Sequence, residues 1–175
     1  MTGEASNKPP GDPAGGPVDI DISVQSEDWN RIDGLEGLAT GWVNAAIRRA
    51  GLGTLPGSEL SLVLTDDTEI RALNADYRGL DKATNVLSFP GGEADGEAFG
   101  PLLGDIVVAF ETAAREAESE KKPFEAHLAH LIIHGLLHLF GYDHENDADA
   151  NRMESMEIAI MADLGYANPY DGEPS

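Results

Sequence analysis

Cysteine is absent from the 175-residue chain, which removes disulfides and thiolate metal ligands together and leaves the fold indifferent to redox compartment. Basic residues are scarce: 11 Lys and Arg stand against 32 Asp and Glu, for a net charge of -21. That imbalance excludes attraction to nucleic acid through a broad basic face, so any anion site must be a local concentration of Arg and Lys. No apolar run approaches the roughly 18 residues of a membrane span, and the opening MTGEASNKPPGDPAGGP lacks the apolar core of a signal peptide. The expectation is a cytoplasmic protein that does not engage a membrane.

The elements that are present follow in order. Residues 1–17, rich in Pro and Gly, cannot bury enough apolar surface to order themselves and read as a disordered tail. Val18 to Val24 alternates apolar and polar, the pattern of a half-buried strand. Leu35 to Leu52 carries Leu35, Leu38, Trp42, Ala45 and Ala46 at helical spacing, with Trp42 in the core, and Gly51 and Gly53 end it. A strand at Leu60 to Thr65 leads to a helix capped by Asp66 or Asp67, whose buried stripe is Ile70, Leu73 and Tyr77. Thr84 to Pro90 reads as a third strand, Gly91 to Pro101 as a loop, and Leu103 to Phe110 as the most apolar and therefore central strand.

Three helices follow: Glu111 to Glu120, a nearly all-apolar one from Phe124 to Phe140, and an amphipathic one from Asn146 to Leu164. The fold expected is α+β with an α/β-like order, a mixed sheet of about four strands covered by about five helices, with a metal site on a central helix. One catalytic domain would span 18–165, and 166–175 would fray.

That site is the stretch His134-Gly-Leu-Leu-His138-Leu-Phe-Gly141-Tyr-Asp-His144. His134 and His138, at i and i+4, point from one helix face at a single cation. Gly141 lets the chain leave the helix and return His144 as a third ligand. Three imidazoles and an open fourth position describe a catalytic zinc site, although nickel, copper and iron also suit imidazole. The spacing is similar to the metzincin pattern H-E-x-x-H-x-x-G-x-x-H, but Gly135 replaces its Glu, and Gly cannot serve as a general base.

An anion clamp is offered by Tyr77-Arg78-Gly-Leu-Asp-Lys82-Ala-Thr84-Asn85, which gathers Arg78, Lys82 and two amide or hydroxyl donors into one connection. The guanidinium fork suits two phosphate oxygens. A surface turn in which Arg78 pairs with Asp76 or Asp81 accounts for the same residues.

Taken with Thr84-Asn-Val-Leu-Ser-Phe-Pro90, Leu103-Gly-Asp-Ile106 and the histidine stretch, this segment resembles the bacterial YbeY family of zinc-dependent endoribonucleases. The resemblance runs from about residue 59 to 164. It implies a zinc-dependent, single-strand-specific endoribonuclease acting on ribosomal RNA, at the 3′ end of the small-subunit RNA, and in ribosome quality control. Ribosomal or assembly proteins would be its partners. Zn2+ would sit on His134, His138 and His144, with His134 and Arg78 catalytic and Arg78, Lys82, Thr84 and Asn85 touching substrate.

Ser88 and Asp105 read as structural, His130 as a bystander or a group behind the metal, His127 as a bystander, Asp143 as a group able to orient a His ring, and Glu145, which could do the same, as a solvated residue at the start of the last helix. No general base stands out, so either water or the RNA's own 2′-hydroxyl attacks. A non-catalytic, zinc-stabilised assembly factor and a metallohydrolase of a non-RNA substrate, peptide included, are the alternatives.

Overall fold

The computed structural model describes residues 18–54, 57–91 and 101–171; the 1–17 tail and residues 92–100 of the expected loop lie outside them. Four strands form one sheet: β1 (Asp19–Val24), β2 (Glu59–Thr65), β3 (Val86–Pro90) and β4 (Leu102–Ala109). Their order is β1-β2-β4-β3, with β1, β2 and β4 parallel and β3 antiparallel to β4. The apolar run of β4 thus lies inside the sheet, where both faces are covered. Five α-helices accompany it among the described residues: α1 (Leu35–Ala50), α2 (Asp67–Arg78), α3 (Phe110–Ser119), α4 (Phe124–Leu139) and α5 (Asp147–Asp163).

Alternation along the strands sorts the helices into layers. Leu60, Leu62 and Leu64 of β2 and Ile106 and Val108 of β4 face α1, α4 and α5 in the main core, with Trp42 buried at its centre. Leu87, Val107 and Ala109 face the other way onto Ile70 of α2. Between β1 and α1 a short 3-10 helix, Glu27–Arg31, begins at Ser26, whose hydroxyl accepts from the amide of Asp28. Its Trp29 is buried against Phe110 and Phe124 and donates Nε1–H to Thr65 O at 2.9 Å. No apolar periodicity announces so short an element.

Two further features depart from expectation. Tyr77 is 70% exposed, and Asn74 fills the buried stripe of α2 instead, donating from Nδ2 to the carbonyl of Lys82 at 3.0 Å. That bond satisfies the Nδ2 side of the buried amide and fixes the turn after the helix. Residues 166–171, expected to fray, are tied back onto the helices. Tyr166 Oη donates to Glu125 Oε2 at 2.6 Å and accepts from Trp42 Nε1 at 3.1 Å. Lys122 Nζ donates to the Pro169 carbonyl, and Tyr170 Oη to Glu157. Polar tips on amphipathic rings anchor a segment whose composition alone looks like loop.

Candidate metal centre

α4 runs through the core because ten of its residues, from His127 to Leu139, are buried. It lies close against the sheet at Gly135. A Cβ there would lie 2.9 Å from Ser88 Oγ and 3.1 Å from Ile106 Cγ2, and Ser88 Oγ donates to the Gly135 carbonyl at 2.9 Å. The structural role expected of Ser88 is therefore filled directly. Position 135 points into the sheet and cannot present a glutamate to the metal side of the helix. Asp105 stands exposed on β4, in register with Phe89 and away from α4.

His134 and His138 sit one turn apart on the half-buried side of α4. The helix stops at Leu139; Gly141, at φ +91, turns the chain, and the Tyr142 amide donates to the Leu137 carbonyl at 3.0 Å. His144 is brought back with its backbone N–H on Asp143 Oδ1 at 2.7 Å. Asp143 thus holds the backbone of the third histidine rather than its ring, and Glu145 is exposed. One ligand atom from each of His134, His138 and His144 lies within 4.8 Å of the others.

The outer nitrogens decide what the inner ones can do. His134 Nδ1 lies 2.5 Å from Glu157 Oε2, and His138 Nδ1 lies 3.0 Å from the Tyr142 carbonyl oxygen. Both partners are acceptors, so each Nδ1 carries the hydrogen and each Nε2 presents a lone pair. Those two Nε2 atoms are 3.1 Å apart. Two lone pairs so placed repel unless a cation lies between them, and ligands at Zn–N 2.0–2.1 Å in a tetrahedron stand about 3.3 Å apart. The residues fit a divalent ion. Burial, and then the neighbouring rings of His134 and His144, hold the His138 imidazole below its ordinary pKa, which keeps it neutral and able to bind metal.

Glu157, fully buried on α5, stands outside the residues that the sequence motifs point to. Burial alone would raise its pKa, but the His130 and His134 imidazoles outweigh that and bring it down to about 2. His130 Nε2 lies 3.4 Å from its Oε1, where Tyr170 Oη also donates. His130 therefore stands behind the metal side, sharing an acid with a ligand. A glutamate one turn after Met153 and three residues before Ile160, on the apolar stripe of α5, was the available signal.

The triad opens into a groove of about 710 Å³ whose walls include Arg78, Asn85, Glu116 and His127. Arg78 has no ion pair among the described residues, neither with Asp76 nor with Asp81, which is held by Arg71, Nε to Oδ1 at 2.8 Å. Lys82 and Thr84 are not among the residues lining this groove. Asn85 lines it, with Nδ2 on the Glu116 carboxylate at 3.0 and 3.2 Å and Oδ1 accepting the Val86 amide at 2.6 Å. The buried His127 supports the same acid, Nε2 to Glu116 Oε1 at 2.9 Å.

Known proteins share this arrangement of chain. A family model described as Endoribonuclease YbeY matches residues 21–165. The Endoribonuclease YbeY of Rhizobium meliloti is 52% identical over 163 residues, covering 90% of this chain and 97% of its own. That of Agrobacterium fabrum is 50% identical over 162 residues, covering 89% and 96%. A solution structure from Thermotoga maritima superposes with a TM-score of 0.52 at 24% identity, over 89% of this chain and 96% of its own, which is a likeness of fold. With a family match over residues 21–165 and relatives half identical over about nine tenths of it, the chain belongs to the YbeY family.

Proposed function

We propose that this protein is a zinc-dependent endoribonuclease that cuts single-stranded ribosomal RNA, acting at the 3′ end of the small-subunit RNA and in ribosome quality control in the cytoplasm. The observation that carries the reading is the pair of imidazoles on α4, each with its outer nitrogen fixed by an acceptor, converging with His144 on a groove that Arg78 also lines. The names of the family's curated members support the reaction class.

Bound at the triad, zinc supplies Lewis acidity toward a water or a phosphoryl oxygen. Arg78, free of an ion pair among the described residues, clamps the scissile phosphate through its planar fork. His134, held from behind by Glu157, is the ligand whose ring orientation the fold controls most tightly. Asn85 contributes through Glu116, while Lys82 and Thr84, outside the groove lining, engage flanking nucleotides. With a net charge of -21, affinity through counterion release is poor, so basic ribosomal or assembly proteins present the RNA. The peptide-hydrolase alternative loses support because position 135 faces the sheet.

Elemental analysis of wild type and His138→Ala, with both assayed on precursor small-subunit RNA, tests the reading. Bound zinc and cleavage in wild type, both lost in the variant, are expected. Zinc retention with thermal stabilisation but no cleavage in any metal would favour the scaffold alternative. A 2′,3′-cyclic phosphate on the product would assign the attack to the RNA's own hydroxyl.

A further inference from the structure

Glu116 poses a question that the metal centre does not answer. A carboxylate in the wall of a groove that must hold a polyanion repels the substrate, yet this one is built in with care. Asn85 Nδ2 donates to both of its oxygens, at 3.0 and 3.2 Å, and the buried His127 donates Nε2–H to Oε1 at 2.9 Å. These contacts join the start of β3, the last turns of α3 and the first turns of α4 around one acid. Its side chain remains 33% exposed, and it shares the groove with Arg78 and the three histidines.

An ionised carboxylate only accepts, with about four lone-pair sites on its two oxygens. Two hydrogen bonds end on Oε1 and one on Oε2, so capacity remains on Oε2. A group that only accepts, locked in place at the groove wall, calls for a donor on the ligand. The phosphates and ring oxygens of a nucleic acid backbone are acceptors. The one backbone donor is the ribose 2′-hydroxyl, which is also the group that separates RNA from DNA.

We propose that Glu116 is a specificity residue that accepts a hydrogen bond from a 2′-hydroxyl of the bound strand, with Asn85 and His127 holding its carboxylate for that purpose. The inference rests on the ribonuclease reading above. It makes the groove select RNA by rewarding the one group DNA lacks, while the acid's charge penalises a deoxy strand that offers nothing in return.

The test is a binding experiment on the full chain. Fluorescence anisotropy is measured with a labelled single-stranded oligoribonucleotide and with the same oligomer carrying one 2′-deoxy nucleotide, moved along the strand position by position. Wild type should lose roughly ten- to a hundredfold in affinity at one position, the scale of a hydrogen bond to a charged group. Glu116→Ala should bind all-ribose and singly deoxy strands alike, because no acceptor remains at that place for the hydroxyl. A purely structural Glu116 would lower affinity for every strand equally and leave the positional sensitivity intact, which overturns the proposal. So does a wild type that cleaves RNA but shows no sensitive position. A wild type that neither binds nor cleaves RNA removes the ribonuclease reading itself. If circular dichroism shows Glu116→Ala unfolded, Glu116→Asp, which keeps the charge but withdraws the oxygen, must reduce the same positional sensitivity.

Discussion

Glu157 Oε2 and His134 Nδ1 lie 2.5 Å apart across the packing of α5 on α4, and the acid is wholly buried. The pair fixes the tautomer of a candidate metal ligand from an element that supplies none of the three histidines itself. Glu157→Ala should weaken zinc binding by about 10- to 100-fold, the usual cost of losing such a partner. Glu157→Gln, whose amide oxygen still accepts from Nδ1, should cost less. Competition with a chromophoric chelator reads both, and equal affinity in wild type and the alanine variant would remove Glu157 from the metal's support.

Arg78→Ala should lower RNA cleavage by about 100-fold, the scale of one lost donor to a reacting anion. Zinc content and melting temperature should stay at wild-type values, since Arg78 is exposed and makes no ion pair among the described residues. Arg78→Lys should recover only part of the loss, because an ammonium cannot grip two oxygens in a plane. Undiminished cleavage in the alanine variant would place the phosphate elsewhere.

Gly135→Ala should destabilise the fold by about 1–2 kcal/mol net, overpacking at the sheet being partly offset by the better helix propensity of alanine. The new Cβ meets Ser88 Oγ at 2.9 Å. In a Ser88→Ala background the same substitution should cost less, as the nearest atom is gone. Urea denaturation of the two singles and the double closes the cycle, and additive costs would show that the two residues do not press on one another.

Burial, together with the hydrogen bond to Glu125, pushes the Tyr166 phenol up to about 12 from 10.0. A group whose folded pKa is raised contributes stability that is complete below its unfolded pKa and fades as pH rises through the folded one. The stability difference between wild type and Tyr166→Phe should therefore be full at pH 8 and shrink between pH 10 and 12. Denaturant melts across that range check it, and a difference that grows with alkali would contradict the assignment.

Much of this is legible in the sequence itself. The histidine stretch declares itself because its ligands are neighbours in the chain, and β4 because a strand covered on both faces is apolar throughout. Glu157 and Glu116 stay hidden for the opposite reason: each is placed by partners distant in sequence, such as Asn85 and Glu116, 31 residues apart. Tyr77 misled because helical spacing identifies a face but not what covers it. The ordering of 166–171 depended on tyrosine hydroxyls finding Glu125 and Glu157, which local composition does not encode.

All three candidate ligands fall inside eleven consecutive residues, 134 to 144. A denatured polypeptide keeps such a cluster together, so it retains some appetite for the ion even without its sheet. Since ligand stabilises a fold only by preferring it over the disordered ensemble, heat resistance gained on loading will fall short of what native affinity alone implies. The same compactness would let a chain still emerging during synthesis seize its ion as soon as this short segment is exposed.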